Sequence, residues 1–118
     1  MDGYENAPKY LATKVKGMIS DIVSTNSNAL NFLQRNEGSK AIATLDLAEM
    51  LCNKLKATWV LNTEKLGPMS KNLVASRSLI MTYNNLSVYY KQQLKEQVAI
   101  RYLKKVCTLQ EQMVTSDT

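Results

Sequence analysis

The sequence predicts an all-α domain of about four long helices folded as antiparallel hairpins, with a plain four-helix bundle as the alternative. Apolar residues recur every three or four positions through most of the chain, which is the spacing of one helix face. Only two prolines and four glycines occur in 118 residues, and apart from Gly17 they fall near the expected helix ends. Hydrophobic residues make up 45% of the chain, which is enough for one core.

The chain divides into one domain and two short ends. We expect residues 1–7 to form a flexible N-terminus, residues 8–114 a single helical domain and residues 115–118 a flexible tail. No apolar run reaches the roughly 18 residues that a membrane span needs, so no membrane span is predicted. No apolar segment behind a basic start marks a signal peptide, which favours a cytoplasmic location.

The first helix is expected over about residues 9–36. Pro8 can begin it, because the amide that proline lacks would be unpaired at that position. A polar run at 24–28 competes for backbone hydrogen bonds, so two pieces joined near Thr25 are the alternative to one helix. The single helix, straight or bent, is favoured because an apolar stripe continues on both sides of that run: Leu11, Val15, Met18, Ile22, Ala29, Leu30 and Leu33.

The second helix should run from a cap at Ser39 to about Asn62, before Gly67-Pro68 ends regular structure. Its stripe alternates in steps of four and three: Ala41, Leu45, Ala48, Cys52, Leu55 and Trp59. Trp59 is in phase with that stripe, so we expect its side chain to be buried, and an exposed anchor for a partner is the alternative. Its partner should be the start of the third helix, around Leu73 and Ala75.

The third and fourth helices are expected from a cap at Ser70 to about Gln93, and over about residues 95–113. The stripe of the third is Leu73, Ile80, Tyr83, Leu86 and Tyr90. The stripe of the fourth is Ala99, Tyr102, Leu103, Val106 and Leu109. Because the join between them is short and polar, the two helices should be antiparallel.

The segment Ile80–Met113 resembles a tetratricopeptide repeat (TPR), a 34-residue helix-turn-helix unit. The positions that carry the resemblance are Tyr83, Leu86, Ser87, Tyr90, Ala99, Leu103 and Val106. Leu94 replaces the usual turn glycine and Glu111 the closing proline, and Val106 is larger than the usual alanine.

A weaker copy of this unit lies upstream. Its matching positions are Ala29, Phe32, Ala41, Leu45 and Ala48, with the turn sequence Glu37-Gly38-Ser39 closer to the family form and Asn28 in place of a leucine. Ala41 and Ala99 are 58 residues apart, about 24 more than one 34-residue period. We expect the excess to lengthen the second and third helices, which gives a stretched pair of hairpins in place of a plain tandem array.

Catalysis is not predicted. The chain has no histidine, so the commonest general base is missing, and it contains no P-loop and no GxGxxG motif. Asp46 and Glu49 share a helix face but are best explained as solvated surface. Cys52 and Cys107 are expected to be buried free thiols, since two thiolates alone cannot complete a tetrahedral zinc site. We therefore predict no catalytic residue, no metal and no cofactor.

The basic charge is concentrated in one segment. Residues 71–105 carry seven of the fifteen basic residues and a single acidic one, Glu96, in a chain of net charge +5. Such asymmetry can steer an acidic partner towards the protein. It also motivates an alternative hypothesis, an RNA- or polyanion-binding helical protein, although three of the interleaved tyrosines are accounted for by the core stripe. A self-assembling structural module, and hence a homo-oligomer, is a third hypothesis.

The TPR resemblance implies a non-catalytic protein–protein interaction module, an adaptor or scaffold domain that binds a partner peptide or helix, with an acidic partner as one option. In that family the first helix of each hairpin lines a concave groove. The partner-binding residues implied here are Arg77, Met81, Asn84, Asn85, Val88, Lys91 and Gln92, with Asn26, Leu30 and Leu33 in the first copy. Asparagine can hold a peptide backbone, and lysine can pair with a carboxylate.

Two finer expectations follow from the same resemblance. Of the residues with which one subfamily binds the C-terminal carboxylate of heat-shock chaperones, Asn85 matches, whereas Asn26, Leu30 and Val88 do not, so a complete clamp is not expected. The stretch TYNNLSVYY is loosely similar to motor-associated repeats, which adds a cytoskeletal or ciliary complex as one setting.

Overall fold

The computed structural model describes residues 7–67 and 73–116. Within those ranges the chain forms helices and no strand, so the predicted all-α class is confirmed. The helices are α1 (Lys9–Gln34), α2 (Gly38–Leu61), the single turn α3 (Thr63–Leu66), α4 (Val74–Gln92) and α5 (Glu96–Ser116). The predicted cap at Ser70 lies outside the described residues, and α5 continues two residues into the segment that we expected to be a tail.

α1 is a single helix, as the continuing apolar stripe predicts. The polar residues within it bond to the preceding turn and do not interrupt it. Thr25 Oγ1 donates to the carbonyl of Asp21 at 2.7 Å, and Asn26 Nδ2 donates to the carbonyl of Ile22 at 3.0 Å. Side chains bonded in this way are compatible with a continuous helix.

The two hairpins close through the same turn. Three residues join α1 to α2, and three join α4 to α5. In each turn one residue takes the left-handed conformation at φ 59°, Asn36 in the first and Leu94 in the second. The next residue's N–H then donates to the carbonyl of Phe32 or of Tyr90, at 2.9 Å in both turns. Every pair of equivalent positions is 58 residues apart, so the internal repeat seen in the sequence is also a repeat of backbone geometry.

The second hairpin packs on the first mainly through α4. α4 lies against both α1 and α2, whereas α5 packs chiefly on α4 and has few contacts with the other helices. Because α2 is antiparallel to both, α1 and α4 run parallel to each other. The two turns therefore lie at the same end of the molecule. There Gly38 lies so close to the turn between α4 and α5 that a Cβ on it would be 3.0 Å from Gln93 Nε2.

The apolar core has two parts. The larger cluster lies away from the hairpin turns and includes Leu11, Val15, Ile22, Cys52, Leu55, Trp59, Leu66, Val74, Ala75 and Leu79, and the smaller one consists of Ala29, Leu45 and Leu86. The predicted burial of Trp59 is confirmed: its side chain is completely buried in the larger cluster, together with Ala75 at the start of α4. Its indole Nε1 donates to the carbonyl of Gly67 at 2.8 Å, which ties the end of α2 to the turn that follows.

Four expectations about burial are wrong, one of them for Leu30, which belongs to the predicted stripe of α1 but is 41% exposed. Leu103 is 45% exposed although it matches the fourth helix's stripe, and Cys107 is exposed, in contrast to the buried Cys52. α4 also differs from the predicted stripe, because its buried side chains include polar ones outside it, Ser78, Thr82 and Asn85. The half-buried Tyr83 and Tyr90 lie on a second face of α4, beside Tyr102 of α5.

Candidate partner-binding surface

Five of the seven residues implied by the family resemblance form one exposed line on α4. They are Arg77, Met81, Asn84, Val88 and Lys91, and all are classed as exposed. Their spacing of four, three, four and three keeps them on one face of a helix. Over these fourteen residue steps the line is roughly 21 Å long, at 1.5 Å per residue.

Asn85 and Gln92, the other two, bond to α1. Asn85 is only 7% exposed, and its Nδ2 donates to Asn26 Oδ1 at 2.9 Å. Gln92 is exposed, but its Nε2 reaches the carbonyl of Leu33 at 3.4 Å. The expectation that Asn85 holds a bound peptide is therefore corrected, because its amide is buried in an internal hydrogen bond.

Two of the three groove residues expected in the first copy are also buried. Asn26 and Leu33 are 1% and 3% exposed and belong to the interior, whereas Leu30 is 41% exposed. Asn26 is the centre of a buried polar network: its Nδ2 also donates to Thr82 Oγ1 at 3.0 Å. The Thr82 hydroxyl donates in turn to the carbonyl of Ser78 at 2.9 Å, and Cys52 Sγ lies 3.5 Å from it.

This network sets the register between α1 and α4. Besides the bond from Asn26 to Thr82, two hydrogen bonds join these helices, Asn85 to Asn26 and Gln92 to Leu33, and each links residues that are 59 apart in the sequence. A position on α1 is therefore level with the position 59 residues later on α4. A buried network of this kind favours one arrangement, because any shift leaves polar groups without partners.

The register places four exposed apolar side chains along the junction of the two helices. Val23 and Leu30 lie one turn either side of Asn26, and Met81 and Val88 lie one turn either side of Asn85. Their side chains are between 36% and 44% exposed. We call this set, together with Arg77, Asn84 and Lys91, the α1–α4 surface. Val23 was missed from the sequence, although an apolar residue one turn from Asn26 was the available signal.

The tyrosines gather on a different face, between α4 and α5. The rings of Tyr90 and Tyr102 are stacked with centroids 5.7 Å apart, and those of Tyr83 and Tyr102 are 5.6 Å apart. Lys105 Nζ stands 4.9 Å from the centre of the Tyr102 ring and 5.3 Å from that of Tyr83. Burial raises the pKa of all three phenols, and the nearby carboxylate of Glu49 acts in the same direction. These rings therefore pack on one another and on a lysine of the same chain.

Little else in the described ranges suggests a reactive centre. Burial raises the pKa of the Cys52 thiol, which keeps it protonated and poorly nucleophilic. Among residues 7–67 and 73–116, no three histidine, cysteine or carboxylate side chains come together to hold a metal ion. In the same ranges, no helix has both the length and the hydropathy required to cross a membrane.

Comparison of the chain with known proteins found no matching family model, no matching curated protein and no matching solved structure. The resemblance to tetratricopeptide repeats therefore rests on the residues of this chain alone. It stays a prediction. The two turns with the same backbone geometry, 58 residues apart, are consistent with a repeated hairpin.

Proposed function

We propose that this protein is a non-catalytic interaction module, an adaptor or scaffold domain that binds a segment of a partner protein on the α1–α4 surface. The observation that supports this best is the alignment of Val23, Leu30, Met81 and Val88 along the junction of two helices held in one register. Single exposed apolar residues are ordinary, but four that line one helix junction beside polar residues are typical of a binding surface. A cytoplasmic location belongs to the same proposal.

The chemistry of the surface suggests the kind of partner. The four apolar side chains would supply the buried centre of an interface, and Asn84 can both donate to and accept from a peptide backbone. Arg77 and Lys91 stand at the two ends of the exposed line on α4, so carboxylates that flank an apolar segment would be favoured. Since the register of α1 and α4 is set internally, little ordering free energy would be spent on binding.

An RNA- or polyanion-binding protein is the second candidate, motivated by the basic segment 71–105. The placement of its cations favours it less. They are divided between two helices: Arg77 and Lys91 lie on the exposed line of α4, whereas Arg101, Lys104 and Lys105 lie on α5. Of these, Lys105 lies over the tyrosine rings. Phosphate binding usually requires several cations along one track.

Selection from a random peptide library displayed on phage, with the whole chain as bait, tests the leading proposal. Selected peptides are then synthesised and their affinities measured by fluorescence anisotropy. We expect apolar anchors flanked by acidic residues. Met81→Asp and Val88→Asp should each weaken binding about tenfold or more, as expected for residues at the centre of an interface.

The chain offers matched controls for both variants. Met50 and Val60 on α2 are 59% and 57% exposed and lie outside the α1–α4 surface, so Met50→Asp and Val60→Asp should leave affinity within about twofold of wild type. Peptides that bind equally well to Met81→Asp and Val88→Asp would show that the surface has been misplaced. Binding of a generic RNA that falls steeply with salt, without any selected peptide, would favour the second candidate.

A further inference from the structure

α5 has a second apolar face beside the one that packs on α4. Ala99 and Val106 are buried against α4. On the neighbouring face, residues spaced three, four, three and four form what we call the α5 seam: Ile100, Leu103, Cys107, Gln110 and Val114. This is the heptad spacing along which two helices pair as a coiled coil. Ile100, Leu103 and Val114 are 43%, 45% and 69% exposed, and Cys107 is also exposed.

Comparison of the two hairpins suggests that another helix belongs on this seam. Leu45 and Leu103 occupy equivalent positions, 58 residues apart. Leu45 is completely buried because α4 covers α2, whereas Leu103 is 45% exposed because α5 packs chiefly on α4 alone. The seam is therefore a helix-packing surface without a helix on it in the described part of the chain.

The charges beside the seam favour a second copy of the same helix. Lys104 and Glu111 lie on the solvent side of the seam, seven residues apart, and so occupy the same position in successive heptads. In an antiparallel pair of helices, residues at this position face each other. When Leu103 packs against Val114 of the second copy, Lys104 of each copy lies opposite Glu111 of the other.

The same two charges disfavour the neighbouring registers. A shift of one heptad in one direction places Lys104 against Lys104 of the second copy, and a shift in the other direction places Glu111 against Glu111. In a parallel pair, Lys104 would face the other flank of the second copy's seam. That flank is buried against α4 and holds Ala99 and Val106, so neither lysine would meet a glutamate. Opposite charges at such flanking positions are a common determinant of partner and orientation.

We propose that α5 is a self-association surface, on which two copies of this chain pair antiparallel about a twofold axis through the α5 seam. This goes beyond the interaction-module function and does not depend on it. A twofold interface must be complementary to itself, and the Lys104–Glu111 arrangement meets that condition twice. In this register three apolar seam side chains of each copy, Leu103, Cys107 and Val114, face the seam of the other copy, so the interface is small and the dimer should dissociate on dilution in the micromolar range.

Sedimentation equilibrium of the full chain, in reducing buffer and over two decades of concentration, tests this proposal. The mass should rise from the monomer's 13.3 kDa towards twice that value as concentration increases. Lys104→Glu and Glu111→Lys should each weaken the dimer at least fivefold, and the double variant Lys104→Glu/Glu111→Lys should restore it. Circular dichroism checks that each variant keeps its helices, which is expected because both side chains are exposed.

Matched variants separate pairing from a change in net charge. Arg101→Glu lies on the same helix but away from the seam, and Asp21→Lys lies on the exposed face of α1. Both should dimerise like the wild type, as should Cys107→Ser. A chain that stays monomeric at every concentration, or a double variant that fails to recover, overturns the proposal. Single variants that behave like Arg101→Glu and Asp21→Lys overturn it as well.

Discussion

Replacing Leu94 by glycine should raise the free energy of unfolding. Leu94 lies in the turn between α4 and α5 with φ 59°, a left-handed conformation that its Cβ disfavours. Its side chain is 87% exposed, so little burial is lost when it is removed. The backbone hydrogen bonds around it, from Leu94 N to Lys91 O and from Lys95 N to Tyr90 O, are available to glycine equally well.

The size of the gain follows from two opposing contributions. A left-handed conformation costs a non-glycine residue about 1–2 kcal/mol, and Leu94→Gly removes that cost. Glycine loses about 0.5–1 kcal/mol more conformational entropy on folding. The net increase in the free energy of unfolding should therefore be about 0.5–1 kcal/mol, equivalent to a rise of about 2–5 °C in the melting temperature.

The first hairpin provides the control for this variant. Asn36 occupies the equivalent position at the same φ of 59°, but asparagine adopts this conformation readily. Asn36→Gly should therefore change stability little, and Leu94→Ala should give no comparable gain because it keeps a Cβ. Urea unfolding followed by tryptophan fluorescence measures all three variants, provided that the slope of the transition is unchanged. If Leu94→Gly is no more stable than wild type, or gains no more than Asn36→Gly, the turn is not strained as argued.

Other measurements probe the interior. Trp59→Ala should lower the free energy of unfolding by roughly 3–5 kcal/mol, as for other buried large aromatics, and Trp59→Phe should lower it by less. The tryptophan emission of the wild type should be blue-shifted and poorly quenched. At concentrations where the chain is monomeric, a thiol reagent should modify one cysteine per folded chain, Cys107, and reach Cys52 only after unfolding. Asn26→Ala should cost about 1–3 kcal/mol, because its buried partners lose their hydrogen bonds. Burial raises the pKa of Tyr102 above its ordinary 10.0. The stability that this shift contributes is therefore present below pH 10 and is lost as pH rises through the folded-state pKa. Tyr102→Phe should lessen the fall of the urea unfolding midpoint above pH 10.

The helices themselves could be predicted well from the sequence. The stripe from Ala41 to Trp59 predicts α2, including the burial of Trp59, because one face of α2 is apolar and one neighbouring layer covers it. The single α1 was also predictable, since its apolar stripe continues past the polar run in the middle. In both helices the periodicity of apolar residues coincides with the face that the fold buries.

The same approach failed where burial depends on a neighbour or on polar pairing. Leu103 follows the stripe of its helix, but its exposure depends on whether another helix covers α5, which the sequence of α5 does not encode. Asn26 and Asn85 look like surface residues in an apolar-periodicity analysis, and only their pairing across 59 residues explains their burial. Five of the seven residues predicted for the surface lie on one exposed face of α4, whereas Asn85 belongs to the interior because of this pairing.

The amide pairing between α1 and α4 also fixes the distances that a partner of the proposed kind would have to match. It prevents the two helices from sliding along each other, because a slip of one residue, about 1.5 Å, would break the bond between Asn26 and Asn85. The level of Val23 and Met81 is thereby kept about seven residues, or roughly 10 Å, from the level of Leu30 and Val88. On the proposed function, the surface would therefore favour helical segments with apolar anchors two turns apart, or extended segments with anchors about three residues apart, over other spacings.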